Sequence, residues 1–306
     1  MLYQQIESNK RKTIMLILLF CLLIVGVGIA VSYLTSGDIV TGIIMTLVIL
    51  AIYVPTTYMS ASKQVLSMSG ARKVSRSEYP QLHRIVEEVI AGTRLPKPDV
   101  YVVNDPVPNA FATGINPDKA AVAFTTGLLE QLNREELEGV AAHEVAHIQN
   151  YDIRVMTISI ALVGVIVYIG NIGTRMLFYG GRRRGDRQGH PALMLLAIIF
   201  IIFSPLAAQF IRLAISRNRE YLADATAVNI IRNPHGLIRA LEKISSHSGR
   251  VKNATSATAA MYISMPLGKR RRRSNLFSTH PPVESRIKRL QEMTGIQSDD
   301  DEQDSP

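Results

Sequence analysis

The stretch Ala141-Ala142-His143-Glu144-Val145-Ala146-His147 puts two histidines and a carboxylate within five consecutive residues. In a helix, at about 100° per residue, positions i and i+4 share one face. His143 and His147 can therefore present two imidazole nitrogens to a single metal ion, with the Glu144 carboxylate beside it. Those are the parts of a zinc hydrolase: two neutral nitrogen ligands and a base within reach of metal-bound water. The plainer alternative is a polar helix end with two surface histidines.

A catalytic zinc expects three protein ligands. Continuation of the motif as His-x-x-Gly-x-x-His is excluded, because Asn150 and Ile153 occupy those positions. A carboxylate from a second helix is the better option, and Glu220 in Arg219-Glu220-Tyr221-Leu222-Ala223-Asp224 is the candidate. Asp224 follows one turn later on the same face, placed to accept the remaining ring N–H of a ligating histidine. Alone, this acidic pair reads as the surface of a charged helix; beside His143 and His147 it reads as the missing ligand and its support. A donor to the developing oxyanion could be His280, Tyr221 or Arg219. His280 leads because it lies in the Pro-stiffened Thr279-His280-Pro281-Pro282, although a histidine at a helix start is as readily structural. Asn109, Ala110, Phe111 and Ala112 suit either a sheet edge that pairs with an extended substrate or an ordinary turn between strands.

The elements that must position these groups alternate between apolar and water-facing segments. Residues 1–12 end in Lys10-Arg11-Lys12, and an uncharged stretch from Thr13 to Leu34 is long enough to cross a bilayer. After a turn with no basic residue, Ile39 to about Met59 returns the chain to its starting side. Lys63, Arg72, Lys73 and Arg76 follow, which makes that side the cytoplasm by the positive-inside rule. The hairpin thus occupies 13–59, and residues 60–152 form the first part of a catalytic domain. Within it the pattern predicts a helix from Pro80, strands at Val100–Val103 and Ala120–Thr125, and a helix capped by Asn133 with Glu136. Residues 153–215 hold two shorter apolar stretches, Val155–Gly170 and Ala192–Ala208, as spans or partial spans. If both cross, the intervening Arg182-Arg183-Arg184-Gly185-Asp186-Arg187 lies outside, against the positive-inside rule. Residues 216–297 complete the domain, with helices after Ser216, from Pro234 to about Ser246, and after His280. The acidic residues 298–306 read as a disordered tail. Parity supports the ligand set: for His147 and Glu220 to meet, the chain between them crosses an even number of times or not at all.

The formal net charge of +9 would ordinarily raise nucleic acid as a partner, but the basic residues flank apolar spans, as in membrane proteins. The mean hydropathy of +0.14 comes from those spans. A single cysteine, Cys21, excludes internal disulfides and cysteine metal sites.

Taken together, Asn109-Ala110-Phe111-Ala112-Thr113-Gly114, the His143–His147 motif, Arg219 to Asp224 and Ser278-Thr279-His280-Pro281-Pro282 give a chain that resembles the HtpX family of membrane-embedded zinc metalloproteases, relatives of the CAAX prenyl endopeptidases. The resemblance implies an α+β fold: a mostly helical, multi-pass plasma-membrane protein with a zincin-like (gluzincin) catalytic domain and a small β-sheet. It implies one Zn2+ per chain on His143, His147 and Glu220, with Glu144 as the catalytic carboxylate. It also implies stress-response quality control of misfolded or damaged membrane proteins, with the site facing the cytoplasm and no nucleic-acid partner. Two alternatives remain: a protease dedicated to one prenylated peptide, which four modest spans disfavour, and a scaffold in which zinc only joins two helices, which an intact Glu144 disfavours.

Overall fold

The computed structural model describes residues 2–164, 217–255, 257–267 and 281–294. The arginine-rich loop, the stretch Ala192–Ala208, His280, the basic run Lys269–Arg273 and the acidic tail lie outside the described residues.

Helices α1 (Leu2–Ser36) and α2 (Ile39–Met68) form an antiparallel hairpin joined at Gly37, whose φ of 73° suits glycine. Asp38 caps α2 by accepting from the Val40 and Thr41 N–H groups. Both helices are long and apolar enough to cross a membrane, and Ile14, Leu18, Leu22, Ile44, Val48 and Ile52 point outward from them. The helices overrun the expected span at the end that meets the domain. α1 already includes residues 2–12, with Asn9 and Thr13 buried. α2 continues past Met59 because Ala61, Val65 and Leu66 there are buried in the domain core.

The domain is built on a four-stranded sheet of order β1-β2-β4-β3, with β1 Ala71–Lys73, β2 Asp99–Val103, β3 Ala110–Thr113 and β4 Ala121–Thr125. β2 and β4 are parallel; the two outer pairs are antiparallel. Both faces are covered, so every residue of β3 and β4 is buried and neither strand alternates in polarity. On one face Val100, Val102, Val122 and Phe124 meet α3 (Pro80–Ala91) and α5 (Arg134–Gln149). On the other, Val103, Phe111 and Ala123 meet Val65 and Leu66 of α2, Ile160, and Tyr262. α3 earns its place by burying Leu82, Ile85, Val86 and Val89, at i, i+3, i+4 and i+7.

A short α4 (Thr126–Gln131) leads to α5, buried continuously from Gly139 to Ile148. Its capping box is complete: Asn133 accepts from the Glu136 N–H, and Glu136 accepts from the Asn133 N–H at 2.9 Å. After α5 come α6 (residues 152–164), α7 (Arg217–Ile231), α8 (Pro234–Ser246) and α9 (Val283–Thr294). α8 crosses α5 with backbones in contact, because a Cβ on Gly139 would collide with the Leu237 backbone and one on Gly236 with Glu135.

Candidate metal centre

Three donors converge where α5 passes α7. His143 and His147, one turn apart on α5, point their Nε2 atoms at each other across 3.2 Å. Glu220, in the first turn of α7, sets one carboxylate oxygen 3.8 Å from His143 Nε2 and the other 3.7 Å from His147 Nε2. A tetrahedral zinc with ligands at ~2.0–2.1 Å requires donors about 3.3 Å apart, close to these spacings. All three side chains are buried.

Two further carboxylates fix the imidazoles. Asp224 Oδ1 lies 2.9 Å from His143 Nδ1, and Asp152 Oδ2 lies 3.0 Å from His147 Nδ1. These neighbours assign a proton to each Nδ1, which directs both Nε2 lone pairs inward. Lone pairs opposed at that distance repel unless a cation or a shared proton lies between them. Four buried carboxylates, Glu144, Asp152, Glu220 and Asp224, gather here with two buried guanidiniums, Arg219 and Arg286.

The electrostatics without metal follow from burial and these pairings. Burial, aided by Arg286, lowers the His143 pKa to about 4, against the pull of Asp224, so this ring is neutral and ready to ligate. Burial also acts to lower His147, but Asp152, Glu220 and Glu144 outweigh it and raise the pKa to about 9. A proton then occupies the metal-facing side of His147 until a metal ion displaces it. Burial raises Glu144 to about 8. Among the described residues neither Glu144 oxygen has a well-formed hydrogen bond. The nearby Ala112 N–H on β3 only partly offsets that burial.

Of the residues expected at the site, His143, Glu144, His147, Glu220 and Asp224 come together. Arg219 is buried with Nη1 3.8 Å from Asp152 Oδ1, which places it beside the support of His147. The Tyr221 ring instead lies 3.7 Å under the Arg289 guanidinium on the α7–α9 side. Asn109 to Ala112 are an edge of the sheet, but the chain itself already takes part of it. The Ile263 N–H donates to the Ala110 carbonyl at 3.0 Å, and Asn109 Nδ2 donates to the Ser264 carbonyl at 3.0 Å. What remains of the edge centres on Ala112, next to Glu144.

Three buried residues of the candidate centre escaped the sequence reading. Arg286 on α9 is buried and grips Asp224 with two hydrogen bonds, Nε to Oδ2 at 2.8 Å and Nη2 to Oδ1 at 2.6 Å. Its Nη1 donates to the Ile263 carbonyl at 2.9 Å. A basic residue in the first turn of a helix opposes the macrodipole, and that was a usable signal. Asp152 sits beyond the end of α5, at no helical spacing from His147. It returns to the ring because Tyr151 adopts a left-handed φ of 58°. Asn9 reaches Asp152 from a distant part of the chain, which no local pattern encodes.

Comparison with known proteins agrees with this geometry. Residues 76–294 match the model of peptidase family M48. The protease HtpX homolog of Ligilactobacillus salivarius is 47% identical over 297 residues, spanning 96% of this chain and all of that one. Those of Streptococcus uberis and Listeria monocytogenes serovar 1/2a are 47% and 46% identical, again over their full lengths. Among solved structures, Ste24p of S. mikatae aligns with a TM-score of 0.46 at 18% identity, over 94% of this chain and 66% of that one.

Proposed function

The chain belongs to peptidase family M48, alongside the HtpX protease homologs, and from that premise we propose that it is a membrane-embedded zinc endopeptidase that cleaves misfolded or damaged membrane proteins at a site facing the cytoplasm. The observation that carries the reading is the convergence of His143, His147 and Glu220, each imidazole braced by a buried carboxylate, beside a buried Glu144 whose oxygens make no well-formed hydrogen bond among the described residues. A scaffold that used zinc only to join two helices has no need of that fourth carboxylate.

Zinc held by His143, His147 and Glu220 would acidify water and polarise a scissile carbonyl. Glu144 contributes no atom to the donor set and is free to take a proton from the attacking water. It then delivers that proton to the leaving amide nitrogen. The free part of the β3 edge at Ala112 offers backbone groups to an extended substrate, which gives affinity with little demand on side chains. That suits a protease for unfolded segments.

The meeting of the hairpin with the domain supports this orientation. The N-terminal end of α1 packs on the turn between α5 and α6, and the C-terminal end of α2 packs beneath the sheet. Lys10, Arg11, Lys12, Lys63, Arg72 and Lys73 lie at that same end of the hairpin. The basic flank and the metal centre share one side of the bilayer, the cytoplasmic side by charge.

Elemental analysis of detergent-purified protein tests the metal centre: one zinc per chain in the wild type and sharply less in Glu220→Gln. Equal zinc in both removes Glu220 from the ligand set. Proximity of the centre to the bilayer carries a second expectation, read in liposomes with matched peptides. A peptide tethered to a membrane anchor is cut several-fold faster than its soluble twin, and equal rates would sink the surface placement.

A further inference from the structure

The turn that brings Asp152 to His147 is held from outside the catalytic domain. Asn9 lies on α1, is buried, and uses both hydrogens of its amide at this turn. One goes to the Asn150 carbonyl and the other to Asp152 Oδ1, each at 2.9 Å. Asp152 Oδ2, the other oxygen of that carboxylate, faces His147 Nδ1. The neighbouring Lys10 ammonium sits 5.7 Å over the ring of Tyr151, the left-handed residue of the turn. One and two turns further on, Thr13 is buried, its hydroxyl donating to the Asn9 carbonyl, and Leu16 packs on Val155 of α6. The chain thus sends an apolar helix past its metal centre and anchors it there by a polar side chain with no solvent exposure to justify it.

We propose that Asn9 is a positioning residue for the metal centre: it locks the Asp152 carboxylate against His147, so metal affinity depends on α1 being seated on the α5–α6 turn. The proposal rests on the ligand set given above. A carboxylate held at one oxygen only can rotate about its Cβ–Cγ bond and lose alignment with the ring. Asn9 fixes the second oxygen, and Arg219, at 3.8 Å from that oxygen, is too far to replace the bond. The arrangement links the membrane helix to the catalytic ion. A domain whose α1 is displaced has its ligands in sequence but holds the metal weakly.

The test is the zinc dissociation constant of the full-length chain in detergent, measured by competition with a chromophoric chelator. Asp152→Ala is expected to weaken binding about 10–100-fold, the range for partners that orient a ligating histidine. Asn9→Ala is expected to weaken it roughly tenfold, at the lower end of that range. Asn9→Asp keeps the shape, cannot donate, and sets a like charge against Asp152, so its loss exceeds that of Asn9→Ala. Adding Asn9→Ala to Asp152→Ala brings little further loss, since the two act through one bond. Asp38→Ala, which removes the cap of α2 at the end of the hairpin away from the domain, is the control for loosening the hairpin and is expected to keep wild-type affinity. Wild-type affinity in Asn9→Asp, full additivity in the double variant, or an equal loss in Asp38→Ala each overturns the proposal. Wild-type affinity in Glu220→Gln instead overturns the ligand set itself, whatever Asn9 does.

Discussion

Glu144→Gln lowers cleavage of an unfolded substrate by about 10²–10⁴-fold, the usual contribution of a positioned general base, and leaves zinc content unchanged. The amide keeps the shape of the carboxylate but cannot accept a proton. Zinc is retained because Glu144 is not among the proposed donors, His143, His147 and Glu220. The same variant has a stability signature with a definite sign. Burial raises the Glu144 pKa from 4.5 to about 8, so between those values the folded, metal-free chain holds a proton that the unfolded chain has released. Stability attributable to this group is full below the unfolded pKa and falls as pH rises toward 8, by up to about 1.4 kcal/mol per pH unit. Gln does not titrate. The metal-free variant therefore becomes progressively more stable than the metal-free wild type from about pH 5 to 8. Parallel stability curves contradict the buried carboxylate, and undiminished cleavage contradicts the base.

Local chemistry made most of the fold legible. Asn133 and Glu136 announced the start of α5, Asn233-Pro234 that of α8, and Val100–Val103 and Ala120–Thr125 the two central strands within a residue. β1 went unread because three residues, Ala71–Lys73, are too few to show a period and gain their conformation from pairing with β2. The sequence pattern marks no element in residues 257–267, yet Met261, Tyr262 and Ile263 are buried against β3. The stretch carries no helix or strand period because its burial comes from a neighbouring strand edge and not from an element of its own. The proposed metal donors were legible for the opposite reason: two lie one helical turn apart, and the third shares a turn with Asp224. The other supports were not, since Asp152, Arg286 and Asn9 reach the site from a helix end, another helix and the hairpin. Such contacts exist only once the chain has folded.

Arg286→Ala lowers the stability of the metal-free chain by about 3–5 kcal/mol, because it strands a buried carboxylate. Asp224 is 3% exposed. Burial alone would raise its pKa, yet the charge and two hydrogen bonds of Arg286 hold it far below the usual carboxylate range. Without the guanidinium, Asp224 retains His143 Nδ1 as its partner, and the Ile263 carbonyl loses its donor. Asp224 must then stay charged at high cost or take up a proton and release its hold on His143. Thermal unfolding followed by circular dichroism reports the loss as a fall in Tm on the order of 10 °C. Arg286→Lys keeps the charge but cannot form the paired bonds or reach Ile263 as well, so it falls between wild type and Ala. Zinc recovers part of the loss, since binding to the native state alone stabilises it and the ion's charge compensates the stranded carboxylate. Asp224→Asn in the Arg286→Ala background removes that charge and is expected to restore more stability than it costs in the wild type. If Arg286→Ala unfolds at the wild-type temperature, the pair contributes no net stability, and the role of Arg286 reduces to aligning the carboxylate that aligns His143.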